Sequence, residues 1–174
     1  METRFGTRAE NSATFLFMFF FAAKAHLILK KKHRNFITII IPRHVHRANK
    51  IFEQLEALNL KVVYHSSKNK NLNGVDIYIV DTFGESKKFY KIATTVFLGG
   101  SLINHGGQNP IEPARFGAKI LHGPNIGNFK EVYKHLKNLK NSKKITTPIE
   151  FANSNVFKKN MQKVGKINYQ GKII

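Results

Sequence analysis

Beyond residue 35, short runs of β-branched and aromatic residues alternate along the chain with segments in which apolar residues recur at helical spacing. The first run, at 36–41, is almost wholly apolar and ends at Pro42, which predicts a strand buried on both faces, as in a parallel sheet. The same criteria predict strands at 60–64, 75–81, 95–98 and 119–122, and helices at 46–58, 85–94, 110–116 and 129–139. Because strands mostly alternate with helices, we expect an α/β domain with a doubly wound parallel sheet.

Size and composition limit the classes of protein to which the chain can belong. Its 174 residues suit one domain, and the absence of cysteine excludes disulfide scaffolds, Cys-ligated zinc and thiol chemistry. A net charge of +19 is typical of nucleic-acid binders and of proteins that sit on anionic lipid. Lys, Asn, Ile and Phe all have AT-rich codons, so a genome of biased base composition would also produce this charge without any anionic partner. We favour this compositional explanation and expect no nucleic-acid partner, because the lysines are spread along the chain without zinc-finger spacing.

The two ends of the chain differ from its middle. An apolar run at 13–23 is too short to span a bilayer, which takes about 20 apolar residues, and Lys24 interrupts it. A signal peptide remains an alternative, although the preceding segment lacks a clear positive excess. The expected organisation is an atypical hydrophobic segment at 1–24, a domain at 25–145, and Lys- and Asn-rich helices or a tail at 146–174.

Polar or glycine-rich turns follow four of the predicted strands. Ligands of open α/β sheets bind beyond the carboxyl ends of the strands, so these turns predict one rim of a binding crevice. The turns are Pro42–His44, Asp81–Glu85, Gly99–Pro113 and Gly123–Asn125.

The longest turn has the chemistry of an anion site that opens a helix. Gly106 and Gly107 allow a ligand to approach the backbone, Asn109 suits an N-cap, and Pro110 suits the first helical position. A nucleotide phosphate fits such a helix start, and Glu112 either accepts hydrogen bonds from sugar hydroxyls or only complements the helix dipole. The loop has neither P-loop spacing nor the dinucleotide-binding glycine pattern.

The histidines do not form a recognisable metal-binding pattern. His44 and His46 lie two residues apart, and His105 lies in the glycine-rich loop. Since no firm ligand set accompanies them, we expect neither a metal site nor a cofactor. No serine-nucleophile motif is present either.

In order and spacing, five motifs resemble the C-terminal half of the 3-deoxy-D-manno-octulosonic acid (Kdo) transferases of lipid A biosynthesis. The motifs are Ile40–His44, Asp81–Glu85, Gly99–Leu102, Gly106–Ala114 and Gly123–Pro124, within a match covering about residues 25–140. The resemblance implies the C-terminal half of a GT-B glycosyltransferase, a Rossmann-like parallel sheet with helices on both faces. It also implies a donor, CMP-Kdo, whose CMP would contact Pro42, Arg43, Phe83, Gly84, Glu85, Asn109, Pro110, Ile111 and Glu112.

In the family, an N-terminal domain carries the lipid A precursor site, the catalytic carboxylate and the surface that meets the cytoplasmic face of the bacterial inner membrane. Residues 1–24 do not match that domain, so we expect no catalytic residue here, and a truncated form that binds donor without transferring Kdo. The sequence also departs from the family at His44–Arg47 and at Phe83, where Met is common. Two alternatives remain open: a non-catalytic basic module for nucleic acid or anionic membrane, and an inactive remnant.

Overall fold

The computed structural model describes residues 6–33, 36–68, 71–104 and 106–154, with side chains from residue 17 onward. The helices are α1 (Gly6–Lys32), α2 (Ala48–Glu56), α3 (Ser86–Ile92), α4 (Ile111–Arg115), α5 (Lys130–Asn138) and α6 (Pro148–Ala152). The strands are β1 (Thr38–Ile40), β2 (Val62–Tyr64), β3 (Ile77–Ile79), β4 (Thr95–Leu98), β5 (Lys119–His122) and β6 (Ser142–Lys144). Single 3₁₀ turns occupy Val45–Arg47, Gly99–Ser101 and Gly127–Phe129. Most of the predicted C-terminal segment, residues 155–174 of 146–174, lies outside the described residues.

All strand pairs in the described chain are parallel, and they form two three-stranded sheets. The first sheet has the order β1-β3-β2, with Tyr78 of β3 opposite both Ile39 and Val63. The second has the order β4-β5-β6, with Leu121 opposite Phe97 and Lys143. The parallel α/β class is therefore confirmed, with six strands divided between two sheets.

The prediction that β1 is buried on both faces was wrong. Ile40 is buried, but Ile39 is 42% exposed. The reason is that β1 pairs with β3 alone among the described strands, so one of its edges has no neighbouring strand.

Helices cover both faces of each sheet. On the first sheet, Ile51 and Leu55 of α2 pack with Ile40, whereas Phe89 of α3 packs with Tyr78 on the opposite face. On the second sheet, α5 covers one face through Tyr133 and Leu136, while α1 and α6 cover the other through Phe21 and Phe151. This is the doubly wound arrangement that the alternation of elements predicts.

Helix α1 packs against both sheets. Phe19 belongs to the core of the first sheet, whereas the ring of Phe21 stacks on Phe97 of the second at a centroid distance of 5.3 Å. Residues two apart on a helix point about 200° from one another, so α1 is buried over more than half of its circumference. The helix runs without a break through Lys24 and Ala25, where the sequence suggests a boundary. No helix in the described ranges is both long and apolar enough to cross a membrane.

A buried polar cluster fastens α1 to the first sheet. The Nδ1 and Nε2 atoms of His26 lie 2.9 Å from Thr38 Oγ1 and 3.2 Å from Asp76 Oδ1. Lys30 pairs with the same carboxylate, and the backbone N–H of Lys61 donates to its second oxygen at 2.9 Å. His26 is completely buried and Asp76 nearly so. Because each partner of Asp76 is a donor, the cluster satisfies a charge that would otherwise be costly to bury.

Candidate functional site

Two of the predicted turns leave the first sheet at the same edge. The N–H of Val80 donates to the carbonyl of Ile40 at 2.9 Å, so the chain continues side by side from β1 into Pro42-Arg43 and from β3 into Asp81–Glu85. Pro42 is buried and Arg43 is exposed. This edge therefore carries both the exposed cation of Arg43 and the turn that follows β3.

The turn after β3 exposes groups that do not serve the core. Phe83 is 80% exposed, which is unusual for an aromatic side chain. Gly84 has a φ of +77° with open space where a side chain would start. Beside it, the hydroxyl of Thr82 is buried and has no hydrogen-bond partner within the described part of the chain. The turn thus combines an exposed ring and accessible backbone, features that a ligand can use.

Glu85 lies at the start of α3 and is held by a neighbouring cation. Its carboxylate is 2.8 Å from Lys88 Nζ, and His65 Nε2 lies 3.9 Å away. The hydrogen bond from Lys88 lowers the pKa of Glu85, so the side chain is ionised at neutral pH. It is suited to accept hydrogen bonds.

The turns that leave the second sheet are packed against each other. A Cβ on Gly106 would lie 2.4 Å from the side chain of Asn128, and one on Gly107 would lie 2.9 Å from the carbonyl oxygen of Asn125. The side-chain oxygen of Gln108 accepts a hydrogen bond from the N–H of Gly100 at 3.0 Å. Both Gly106 and Gly107 have positive φ, so these positions require glycine for conformation and for space.

The prediction that Asn109 is the N-cap of α4 was wrong by one residue, because the buried Pro110 occupies that position and the helix begins at Ile111. The Oδ1 of Asn109 still accepts a hydrogen bond from the N–H of Ile111 at 2.9 Å, so Asn109 closes the turn that precedes the helix. Ile111 is 43% exposed, and Glu112 is partly exposed. Since α4 has only five residues, its dipole is small, and we do not assign phosphate binding to this helix start.

An ion pair connects the turn region of the first sheet with that of the second. Lys87 Nζ on α3 lies 4.0 Å from Glu112 Oε1 on α4, and the rings of Tyr90 and Phe116 lie 6.5 Å apart. Burial, with a smaller contribution from the charge of Glu112, raises the pKa of Tyr90. Glu85 and Glu112 therefore lie on two helices whose first turns meet.

Arg43 lies at the carboxyl ends of the strands because it follows β1, and no contact with the other candidate residues that the structure describes fixes its side chain. Among the described residues, no ion pair or hydrogen bond joins it to Glu112. Lys87 was not identified from the sequence, and the buried Ser101, which holds the second-sheet turns together, was included in the turn after β4 without a role of its own. Lys87 is the second residue of α3. The signal that could have identified it is its positive charge, which is complementary to Glu112.

The described residues contain no cluster of His, Asp or Glu able to hold a metal ion. The rings of His44 and His46 lie 5.5 Å apart without a third ligand. His105 lies outside the described residues.

Comparison with curated proteins identifies relatives of known class. The chain is 31% identical over 113 residues to the 3-deoxy-D-manno-octulosonic acid transferase of Haemophilus influenzae, which covers 65% of this chain and 26% of that protein. It is 36% identical over 106 residues to the Rickettsia felis protein of the same name, covering 61% and 23%. This chain is related to the Kdo transferases. It spans about a quarter of the length of these relatives. No protein-family model matches the chain.

The fold of this Kdo transferase relative has a solved counterpart. The C-terminal CMP-Kdo binding domain of WaaA from Acinetobacter baumannii superposes with a TM-score of 0.67 at 23% identity, covering 81% of this chain and 71% of that domain. The predicted resemblance to the C-terminal half of the Kdo transferases is thereby confirmed for the fold.

Proposed function

We propose that this chain binds CMP-Kdo at the carboxyl ends of its strands, as the donor-binding part of a Kdo transfer reaction. The observation that carries the proposal is that α3 and α4, which follow turns of the two sheets, lie close enough for Lys87 and Glu112 to form an ion pair. The relationship to the Kdo transferases supports the choice of a CMP-linked sugar over other nucleotides.

In this proposal the first sheet supplies the phosphate and base contacts. The exposed Arg43 guanidinium, which follows Pro42, is suited to bidentate binding of the CMP phosphate. The exposed ring of Phe83 offers a stacking surface for cytosine, and the open backbone at Gly84 allows the nucleotide to approach.

The second sheet and α3 supply acceptors for the sugar. The ionised Glu85 and the partly exposed Glu112 are suited to hydroxyl groups of ribose, and neither carboxylate suits a phosphate. Asn109 and Pro110 fix the start of α4, so that Ile111 and Glu112 point outward. Lys87, beside Glu112, would orient that carboxylate and add positive charge near the departing phosphate.

The relatives extend well beyond the quarter of their length that this chain matches. We assign to that remainder the lipid A precursor site and the general base, and we assign no catalytic residue to this chain. The reaction would take place at the cytoplasmic face of the bacterial inner membrane, where the acceptor lipid is found. The proposal requires neither a metal nor a cofactor.

Calorimetric titration of the purified chain with CMP tests the donor site. We expect CMP to bind more tightly than cytidine, and Arg43→Ala to weaken CMP by about tenfold or more while leaving cytidine binding nearly unchanged. Glu112→Gln should weaken both ligands. The control Lys137→Ala removes one exposed positive charge from α5 and should leave binding unchanged. The absence of CMP binding to the parent chain would overturn the proposal.

A further inference from the structure

The outward side of α1 carries large apolar side chains in a line. Phe17, Phe20 and Leu27 are 53%, 39% and 40% exposed, and Lys24 and Lys31 are exposed beside them. The spacing of these five residues, three and four positions apart, places them on one helix face. We call this set the outer stripe of α1.

The outer stripe is distinct from the part of α1 that builds the core. Phe19, Phe21 and Ala23 point to the other side and are buried. The side chains of the stripe are only partly covered by the described domain, since about two fifths to one half of the surface of each apolar side chain stays exposed. Apolar groups exposed in a continuous line indicate an interaction surface rather than scattered surface residues.

Along the chain, every charged side chain from residue 11 to residue 52 is basic, and the carboxylate of the buried Asp76, which pairs with Lys30, meets α1 away from the stripe. No acidic residue occurs between positions 11 and 52, and α1 ends in Lys30, Lys31 and Lys32. Lysines placed among apolar side chains suit a bilayer surface, because their long stems lie along apolar groups while the charged ends reach the lipid headgroups. A nucleic acid would use the lysines and leave the Phe and Leu side chains in water.

We propose that the outer stripe of α1 binds the surface of an anionic bilayer, with the helix axis in the membrane plane. Phe17, Phe20 and Leu27 enter the boundary between headgroups and acyl chains, and Lys24 and Lys31 meet lipid phosphates. The inference shares the membrane location with the proposed function, but it does not depend on nucleotide binding.

Fluorescence tests insertion directly, because the chain contains no tryptophan. With Phe20→Trp as the only tryptophan, vesicles containing phosphatidylglycerol should shift its emission to shorter wavelength, and pure phosphatidylcholine vesicles should shift it much less. The control Leu139→Trp places the reporter at the end of α5, at a side chain that is 61% exposed, and should not shift. Equal shifts at both positions, or a shift at neither, would overturn the proposal.

Charge reversal supplies a second test that does not change the apolar surface. Lys24→Glu with Lys31→Glu should lower cosedimentation with anionic vesicles by at least about tenfold. The matched control, Lys91→Glu with Lys137→Glu, makes the same change in net charge at exposed positions of α3 and α5. Equal losses in the two double variants would show attraction by diffuse charge and contradict a defined surface, as would binding to RNA but not to vesicles. CMP titration of the same variants tests the donor site separately, and we expect it to be unchanged.

Discussion

The side-chain oxygen of Ser101 accepts a hydrogen bond from the backbone N–H of Gly123 at 2.6 Å, joining the turn after β4 to the turn after β5. The same hydroxyl donates to the carbonyl of Leu98, and the carbonyl of Ser101 accepts from the N–H of Asn125 at 2.9 Å. A Cβ on Gly123 would lie 2.5 Å from the Ser101 carbonyl oxygen. The two turns are therefore in direct backbone contact, which fixes the base of the glycine-rich loop.

Ser101→Ala should lower the free energy of unfolding by about 1–3 kcal/mol, because it leaves the buried N–H of Gly123 without an acceptor. Urea denaturation measures this change. The matched control is Ser142→Ala, since the Ser142 hydroxyl is buried without a hydrogen-bond partner in the described part of the chain. That substitution should be nearly neutral or slightly stabilising. Equal losses in the two variants would show that the Ser101 hydrogen bonds contribute no net stability.

Gly107→Ala should destabilise the fold more than Gly117→Ala. Both residues have positive φ, which costs an alanine about 1–2 kcal/mol. A Cβ at Gly117 meets open space, whereas one at Gly107 meets the backbone oxygen of Asn125, so Gly107→Ala should cost roughly 1–3 kcal/mol more. Thermal unfolding of the two variants measures the difference. Equal melting temperatures would contradict the close approach of the two turns.

Acid should weaken the attachment of α1 in two pH ranges. Burial lowers the pKa of His26 below 6.5, so the unfolded chain binds a proton before the folded chain does, and stability should fall as the pH drops below about 6.5. Burial alone would raise the pKa of Asp76, but hydrogen bonds from Lys30, Lys61 and His26 bring it below 3.8. Its contribution is therefore present above about pH 3.8 and is lost as the pH falls further.

The variant that isolates the first range is His26→Gln. Its free energy of unfolding, measured by urea denaturation from pH 7 to pH 4.5, should decline less steeply than that of the parent chain. A smaller decline should remain, because burial also lowers the pKa of His122. An unchanged slope would exclude His26 as a source of the pH dependence.

Lys87→Met should separate stability from ligand binding. The Lys87–Glu112 pair is 4.0 Å long and exposed, so its loss should change the free energy of unfolding by less than about 1 kcal/mol. If Lys87 orients Glu112 toward the donor, CMP affinity should fall by about threefold to tenfold, as measured by calorimetry. Lys91→Met, one turn further along α3, serves as the control and should leave CMP affinity unchanged. Equal CMP affinity in the two variants would remove Lys87 from the site.

Turn chemistry explains which elements the sequence predicts well. The bounds of β4 and β5 agree with the predictions at both ends, because glycine stops each strand at Gly99 and Gly123. The predicted N-cap at Asn109 was one residue too early, but the Asn109 side chain does accept a hydrogen bond from the backbone two residues on, as Asn often does in turns. These features depend on neighbouring residues only.

The features that the sequence did not predict depend on tertiary contacts. Strand β6, Ser142–Lys144, is polar and largely exposed at the edge of its sheet, so it carries no apolar alternation. The division into two sheets is a matter of pairing, which no local pattern encodes. The Phe-rich part of α1 looked atypical because a helix buried over more than half of its surface shows no narrow apolar stripe. The assignment of the site residues to CMP remains a prediction.

The position of α1 has a consequence for how the domain melts. Among the described strands, no hydrogen bonds link β1 to β4, so the two sheets are not joined through their backbones. They are coupled chiefly through α1, because Phe19 packs in the core of the first sheet and Phe21 in the core of the second. We therefore expect the halves to unfold in a single transition while α1 is docked. Detachment of the helix would leave two three-stranded units of marginal stability, so a local event at one helix would weaken the whole domain.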